Sequence, residues 1–500
     1  MRAHSLLHSF TLGPRFNIVH DSVWYFVAVS NANPPATGQL EPAQPGSKRF
    51  TAWHAGTALL LALGYSGYYF CRSDLSVVLP DLIHDMARHG MSPNAAEIRL
   101  GFIASVGTIA YAFGKFFSGA IADTGGGRRS FLGGMAGSIL FTIVFALSGS
   151  FPLFTMAWIG NRLFQSQGWA ALVRVSSRWF SYSTYGSVMA VVSLSFLFGD
   201  AGCRWMMSEL MAHGVGWRGV FFFASGALAV LMVTCMLLLR ESPEERGLPK
   251  PEVNPRNVYA RENGAEDEGA DEGTASDDGR VNIGAILRPL LTNFAFWMVC
   301  VLAFGTTLLR ETFNLWMPTY FVQFAGFSPS VAASRSALFP LCGGVSVLLG
   351  GFLSDKLGPN GRNVLVVAGM SACTVCLVLM GRIPSPAGLW APSILVGLVG
   401  FTLLGPYSYL AGAMSLDFGG EKGSATAAGI IDGFGYMAGW LSGDTIARIA
   451  VAWGWRTAFL SLAVVSLLTA LVAVVLTAHQ RAGNREQGIG DREQQTADRE

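Results

Sequence analysis

The sequence predicts an all-α polytopic membrane protein with twelve transmembrane helices in two pseudo-symmetric six-helix bundles. Three observations support this fold class: the composition, a series of apolar segments long enough to cross a bilayer, and an internal repeat. Hydrophobic residues make up 51% of the 500 residues, charged residues make up 13%, and the mean hydropathy is +0.42. This composition is typical of membrane proteins rather than soluble domains. The net charge of +2 comes without a concentrated basic patch, so nucleic-acid binding is not indicated.

Twelve apolar segments follow one another along the chain, each long enough to cross a hydrocarbon core of about 30 Å. The first six spans lie at 53–86, 97–122, 130–149, 152–180, 185–212 and 217–239. The seventh to twelfth lie at 292–325, 330–354, 363–381, 388–416, 423–449 and 454–477. Because the number of spans is even, both termini are expected on the same side of the membrane.

The predicted domains are an extension at 1–52, a first bundle at 53–239, a linker at 240–291, a second bundle at 292–477 and a tail at 478–500. The linker contains the acidic, glycine-rich run RENGAEDEGADEGTASDDGR, and the tail ends in the similarly polar DREQQTADRE. Such sequences are typical of solvated, disordered segments. The extension lacks a good signal-peptide cleavage pattern, so it is interpreted as a cytoplasmic tail or an upstream start-site extension, with a transit peptide as a further alternative.

The second half of the chain repeats the first. GWRGVFF at Gly216–Phe222 recurs 238 residues later as GWRTAFL at Gly454–Leu460, and Arg72 recurs at the same offset as Arg310. Parallel six-helix repeats, related by an axis along the membrane normal, describe the major facilitator architecture. The repeat therefore predicts two bundles that move against each other around a central site.

A polar loop follows the second span, and a similar loop follows the eighth. GAIADTGGGRR and GGFLSDKLGPNGR resemble the loop signature G-x-x-x-D-(R/K)-x-G-(R/K)-(R/K) of the major facilitator superfamily, although Thr124 replaces a basic residue. Charge-assisted contacts between such helix ends can hold one conformation and release in another. The residues predicted to gate in this way are Asp123, Arg128, Arg129, Asp355, Lys356 and Arg362.

The same loops predict the orientation of the chain. Their basic residues, with Arg174 and Arg178 at one end of the fourth span, favour a cytoplasmic location for this face. Both termini and the acidic linker would then lie in the cytoplasm, and a bacterial inner membrane is the expected location.

Two arginines lie inside predicted spans at matching positions of the repeat. Arg72 interrupts GYSGYYFCRSDLSVVLP in the first span, and Arg310 interrupts FGTTLLRETFNLWMPTY in the seventh. A charged side chain at bilayer depth is costly unless it faces a cavity. The pair predicts an anion site on the pseudo-two-fold axis, and phosphate suits two guanidinium groups best.

The segments around these arginines resemble the organophosphate:phosphate antiporter family. GYSGYYFCRSDLSVVLPDL is similar to the first helix of that family, AYAFGKFFSGAIAD to the second, FQSQGW to the fourth and LLRETFNLWMPTY to the seventh. The resemblance covers roughly residues 53–480. It implies a carrier, not an enzyme, that needs no cofactor. It further implies that the carrier exchanges a sugar phosphate or glycerol phosphate for inorganic phosphate by alternating access, with the phosphoryl group between Arg72 and Arg310.

Tyrosines near Arg72 are further candidates for phosphate binding. Tyr65 and Tyr69 are four residues apart and share a helix face, and Tyr65 is seven residues before Arg72. Their hydroxyl groups could donate to phosphate oxygens. Tyr68 lies off this stripe and is interpreted as a packing residue.

Three further positions within the spans carry charge. Lys115 is predicted to line the pathway or a gate, with a structural role as the alternative. Asp432 is predicted to accept hydrogen bonds from substrate hydroxyl groups or to pair with Lys115, Arg204 or a site arginine. Asp200 and Arg204 are four residues apart, so mutual neutralisation and a functional role remain equally open.

Four positions depart from the family pattern and leave the substrate open: Ser73, Phe196, Leu315 and Pro340. Two alternatives to exchange follow. One is a proton-coupled symporter of a carboxylate or phosphonate that uses Asp200 or Asp432. The other is a receptor that resembles a transporter and binds a sugar phosphate. No nucleotide-binding loop is present, and a monomer is expected.

Overall fold

The computed structural model describes residues 52–251, 288, 290–357, 361–384, 388, 390–410, 414 and 427–497. Every regular element in this part is helical. The first half contains Ala52–Tyr68, Phe70–Arg88, Pro93–Gly125, Gly127–Leu147, Phe151–Gln165, Gln167–Trp179, Tyr182–Ala212, Trp217–Leu238 and a short 3₁₀-helix, Pro243–Arg246. The second half contains Phe294–Gln323, Pro329–Ser336, Leu338–Lys356, Gly361–Arg382, Trp390–Leu410, helical residues 427–437, a π-helix at Leu441–Thr445 and Ile446–Ala497.

The helices coincide with the predicted spans, and three spans consist of two helices each. The first span divides at Tyr69, the fourth at Ser166 and the eighth at Ala337. The eleventh and twelfth spans meet at Gly454, whose φ of +81° interrupts the helix Ile446–Ala497. By length and composition, eight helices in the described residues can cross a membrane, one of which joins these last two spans.

The polar segments differ in how much of them the structure describes. The predicted extension, apart from Ala52, and most of the predicted linker lie outside the described residues. The tail was expected to be disordered, but the last helix continues to Ala497. This expectation was wrong because the tail is rich in glutamine, glutamate and arginine, which are good helix formers.

The two halves pack against each other along matching helices. Phe70–Arg88 packs against Phe294–Gln323, Pro93–Gly125 against the π-helix, and Tyr182–Ala212 against the two helices of the eighth span. Small residues bring the second and eleventh spans close together, since a Cβ atom added to Gly443 would lie 2.4 Å from the carbonyl oxygen of Gly101. Close backbone approach at small residues is typical of helix packing in membranes.

Three hydrogen bonds between the halves lie toward one end of the bundle. Ser105 Oγ donates to the carbonyl oxygen of Trp440 at 2.7 Å, and Ser208 Oγ donates to that of Ser330 at 2.8 Å. Gln323 Nε2 donates to Glu97 at 2.8 Å. These contacts lie toward the end opposite the loop at Gly126. The two halves are therefore joined at the end that the sequence predicts to be extracytoplasmic.

Candidate functional site

A cavity lies between the two halves of the bundle. Spans from both halves line it, including the first, second, fourth, fifth, seventh and eleventh. Its charged lining residues are Arg72, Arg162, Asp200, Arg204, Arg310 and Glu311. The two arginines predicted from the repeat thus face one space, as an anion site on the pseudo-symmetry axis requires.

Arg72 follows the break in the first span at Tyr69. Its Nε donates to Gln165 Oε1 at 2.9 Å, and Nη1 donates to the hydroxyl group of Tyr69 at 3.2 Å. Its guanidinium carbon lies 4.5 Å from the ring centroid of Tyr111. These partners are neutral, so they orient the guanidinium group without cancelling its charge.

Arg310 occupies the corresponding position in the seventh span and is 7% exposed. Its Nη1 donates to the hydroxyl groups of Tyr407 at 2.9 Å and Tyr436 at 3.3 Å. The same nitrogen lies 3.3 Å from Glu311 Oε1. Arg310 therefore differs from Arg72 in having a carboxylate beside it.

A third arginine in the cavity, Arg162, was not predicted from the sequence. Its Nη2 lies 3.9 Å from Glu311 Oε2, and its guanidinium carbon lies 5.0 Å from the ring centroid of Tyr111. Its Nε is buried and makes no hydrogen bond in the described part of the chain. The signal was its charge within the apolar run of the fourth span, two residues before the segment FQSQGW begins.

Two tyrosines connect the arginines of the two halves. The ring centroids of Tyr111 in the second span and Tyr436 in the eleventh lie 5.2 Å apart. Tyr111 contacts Arg72 and Arg162, whereas Tyr436 accepts a hydrogen bond from Arg310. Nothing local in the sequence marks these residues, because the contact forms only when the second and eleventh spans meet.

Lys115 and Asp432 lie on the side of this tyrosine pair that is nearer the Gly126 loop. Lys115 Nζ is 2.6 Å from Asp432 Oδ2, and both side chains are about one-quarter exposed. Lys115 is thus the partner of Asp432 among the three that the sequence left open. The pair joins the second span to the eleventh, so it links the two halves of the protein.

The tyrosines of the first span have different surroundings. Tyr69 lines the cavity and contacts Arg72. Tyr65 is buried against Tyr69 and Trp169, outside the cavity lining. Tyr68 donates a hydrogen bond to the carbonyl oxygen of Phe131 at 2.6 Å, which is the packing role predicted for it. Tyr69 is therefore the tyrosine of this group placed to reach a bound anion.

A buried polar network lies beside the arginines. Arg204 Nε is 3.1 Å from Asp200 Oδ1, so these residues neutralise each other, and Ser73 donates to the same carboxylate. Arg204 also donates to the carbonyl oxygen of Asn314 at 2.8 Å and to Ser336 at 3.2 Å. Ser73, one of the departures from the family pattern, is thereby part of a network that joins the two halves.

The predicted loop signature is described in part. Arg128 Nε donates to the carbonyl oxygen of Leu239 at 2.7 Å. Its backbone nitrogen donates to Glu241 at 2.7 Å, and Arg178 lies 3.3 Å from the same carboxylate. Among the other predicted gating residues, Arg129 and Lys356 are exposed, Arg362 is partly buried, and the side chains of Asp123 and Asp355 lie outside the described part. Glu241 was not among the predicted gating residues.

Comparison with known proteins gives relatives that span nearly the whole chain. A "Probable hexose phosphate transport protein" of Chlamydia pneumoniae is 26% identical and covers 88% of this chain and 93% of the relative. A "Glycerol-3-phosphate transporter" of Bacillus subtilis is 26% identical, and the match covers 83% of this chain and 90% of the relative. The "Membrane sensor protein UhpC" of Escherichia coli is 24% identical, and the match covers 85% of this chain and 92% of the relative. These relatives confirm the resemblance to the organophosphate transporter family.

The fold and the family are both shown by these comparisons. A bacterial homologue of the human lysosomal transporter Spinster, solved in an inward-facing and unoccupied conformation, has a TM-score of 0.65 at 14% identity, covering 87% of this chain and 98% of that chain. The family model of the Major Facilitator Superfamily matches residues 61–444. The protein is therefore an integral, multi-pass membrane protein of a transporter family rather than an enzyme, and the chain belongs to the Major Facilitator Superfamily.

Proposed function

We propose that this protein exchanges an organic phosphate ester of the sugar phosphate or glycerol phosphate class for inorganic phosphate by alternating access. The observation that carries the proposal is the position of Arg72 and Arg310 at equivalent points of the repeat, on one cavity between the halves. Guanidinium groups bind phosphate in a bidentate manner, so an anion between them would contact both halves. The hexose phosphate and glycerol phosphate transporters among the relatives support this substrate class.

Obligatory exchange follows from the charges. Without an anion, the cationic groups of the two halves repel each other across the cavity, whereas a bound phosphoryl group attracts both. A ligand shifts a conformational equilibrium only through its different affinity for the two states. The occupied carrier would therefore reorient more readily than the empty one, and each outward step would be matched by an inward step.

The acids that the sequence offered as proton carriers are both paired with cations. Asp200 contacts Arg204, and Asp432 contacts Lys115. Exchange is therefore favoured over proton-coupled symport.

In the proposed orientation, the Gly126 loop, both termini and the linker are cytoplasmic, as the basic residues of the loops favour. The carrier is proposed to act as a monomer in a bacterial inner membrane.

Counterflow in proteoliposomes tests the proposal. Vesicles loaded with inorganic phosphate should take up labelled phosphate, and external glucose 6-phosphate or glycerol 3-phosphate should compete with the label. Vesicles loaded with chloride alone should show little uptake. Accumulation that depends on a proton gradient, without internal phosphate, would favour symport.

The second candidate function is a phosphate-ester receptor. It is favoured by the similarity to the membrane sensor protein of Escherichia coli. A receptor would bind glucose 6-phosphate with little turnover, whereas a carrier would exchange many molecules of phosphate per protein. The same vesicles distinguish these outcomes when binding and uptake are measured on one preparation.

A further inference from the structure

Glu311 lies between two arginines that belong to different halves of the protein. One oxygen, Oε1, is 3.3 Å from Arg310 Nη1, and the other, Oε2, is 3.9 Å from Arg162 Nη2. Glu311 lines the central cavity, and its side chain is 12% exposed. The carboxylate thus occupies a position that a substrate anion bridging the halves would also favour.

The charges around the cavity can be counted from the contacts. Asp200 and Arg204 neutralise each other, and Lys115 and Asp432 do the same beside the cavity. Three guanidinium groups and the carboxylate of Glu311 remain. Their formal sum is two positive charges. A phosphate monoester carries about −1.5 to −2 charges at neutral pH, so the described site matches one phosphoryl group.

Arg162 has an unused hydrogen-bond donor in this site. The residue is 6% exposed, and its Nε is buried without a partner among the described residues. A buried polar group without a partner is uncommon and is stabilised when a ligand oxygen supplies the missing bond. Arg162 is therefore equipped to bind an anion through Nε, while its Nη2 lies 3.9 Å from Glu311.

We propose that Arg162 is a third anion-binding arginine and that Glu311 sets the number of negative charges that the substrate carries. The inference rests on the proposed organophosphate transport and deepens it. Glu311 cancels one arginine, so a single phosphoryl group balances the remaining charge. A substrate with a second anionic group would meet the carboxylate of Glu311 at short range, where the repulsion is strong because the surroundings are poorly solvated. The site accordingly selects esters with one anionic group over phosphocarboxylates and bisphosphates.

Two nearly isosteric probes test this selection. Glycerol 3-phosphate and 3-phosphoglycerate differ by a hydroxymethyl group in place of a carboxylate. Their binding to the purified protein in detergent can be measured by calorimetry, which does not require transport. The wild type should prefer glycerol 3-phosphate. Glu311→Gln should shift the affinity ratio toward 3-phosphoglycerate by about tenfold or more, because the repulsion is removed.

Further variants separate charge from structure. Glu311→Asp retains the charge and should keep the wild-type ratio. Arg162→Gln combined with Glu311→Gln restores two positive charges and should return the ratio toward that of the wild type. Glu209→Gln, at an exposed acid, is the matched control and should change nothing. An unchanged ratio in Glu311→Gln, or a double variant that behaves like Glu311→Gln alone, would overturn the role of Glu311.

Inorganic phosphate and pyrophosphate form a second pair of probes that lacks an organic group. Suppose that the wild type exchanges no phosphate ester but Glu311→Gln shifts the affinity ratio between inorganic phosphate and pyrophosphate. The proposed function then fails, and charge selection stands. If phosphate esters are exchanged but Glu311→Gln shifts the affinity ratio of neither pair of probes, charge selection fails and the proposed function stands. Binding of none of the four anions to the wild type would overturn both.

Discussion

The ammonium group of Lys115 lies 2.6 Å from a carboxylate oxygen of Asp432, and this ion pair joins the second span to the eleventh. Lys115 Nζ also lies 4.9 Å from the ring centroid of Tyr436, the residue that accepts a hydrogen bond from Arg310. The same nitrogen lies 5.4 Å from the ring centroid of Tyr111, which contacts Arg72 and Arg162, so two tyrosines couple the pair to the arginine site. It must break whenever the two halves separate at this end of the bundle.

The ion pair predicts opposite effects for its two single variants. Lys115→Ala leaves an unpaired carboxylate near the site and should weaken the apparent affinity for phosphate by about tenfold. Asp432→Asn frees the ammonium group and should strengthen phosphate binding, while the ranking of organic substrates changes. Competition in the counterflow assay measures both effects.

The double variant Lys115→Ala/Asp432→Asn checks whether the effects arise from the pair. Its phosphate affinity should lie closer to that of the wild type than either single variant does. If the single effects simply add, the residues act independently, and their contact has no functional role.

The two predicted site arginines should not tolerate replacement by lysine. Arg72→Lys and Arg310→Lys retain the charge but lose the planar guanidinium group and its bidentate contacts. We expect each to lose about 2 kcal/mol or more of phosphate binding, which corresponds to roughly thirtyfold. Arg88→Lys, at an exposed arginine paired with Asp85, is the matched control. Exchange at the wild-type rate in either site variant, with the protein folded, would contradict the proposed clamp.

Features that depend on local sequence could be predicted, and features that depend on tertiary contact could not. The apolar runs and the repeat predicted the spans and the shared position of Arg72 and Arg310. The pairing of Asp200 with Arg204 was one of two alternatives that their spacing of one helical turn left open. By contrast, the contact between Tyr111 and Tyr436 joins residues 325 positions apart in the sequence, and its location depends on how the halves pack.

Glu311 illustrates the same limit in a charged residue. Its position beside Arg310 is evident from the sequence, but its second contact, with Arg162, depends on the fourth and seventh spans facing one cavity.

The helical tail shows the reverse case. A polar segment with few apolar residues was interpreted as disordered, whereas the helix propensity of its residues continues the last span to Ala497.

The network around Arg204 predicts a large loss of stability on a single substitution. Arg204 is 2% exposed and pairs with Asp200. Arg204→Gln leaves a buried carboxylate without its cation, which typically costs about 3–5 kcal/mol. Adding Asp200→Asn removes the uncompensated charge, so the double variant should recover part of the loss. Thermal unfolding of the purified variants in detergent measures the loss of stability in Arg204→Gln and its recovery in the double variant. A double variant less stable than Arg204→Gln would show that the charge balance of this pair is not what stabilises the protein.

The final prediction concerns the contact between Gly443 and Gly101, where the backbones of the two halves approach closely. A Cβ atom on residue 443 would lie 2.4 Å from both the carbonyl oxygen of Gly101 and the hydroxyl oxygen of Ser105. Ser105 cannot easily move aside, because it donates to Trp440 and accepts from the backbone nitrogen of Asp444. The variant Gly443→Ala should therefore destabilise the arrangement in which this end is closed by about 1–3 kcal/mol.

Under alternating access, the clash disappears when the halves separate at this end. Gly443→Ala should then populate the opposite conformation about 5- to 150-fold more than the wild type does. Hydrogen exchange in the purified protein should become faster in residues 101–108 and 439–445, with little change in the temperature of global unfolding. Gly226→Ala is the matched control, since a Cβ atom there would meet no atom within 4 Å. If Gly443→Ala lowers the unfolding temperature and leaves the exchange pattern of the folded protein unchanged, the glycine contact stabilises the fold but does not take part in alternation.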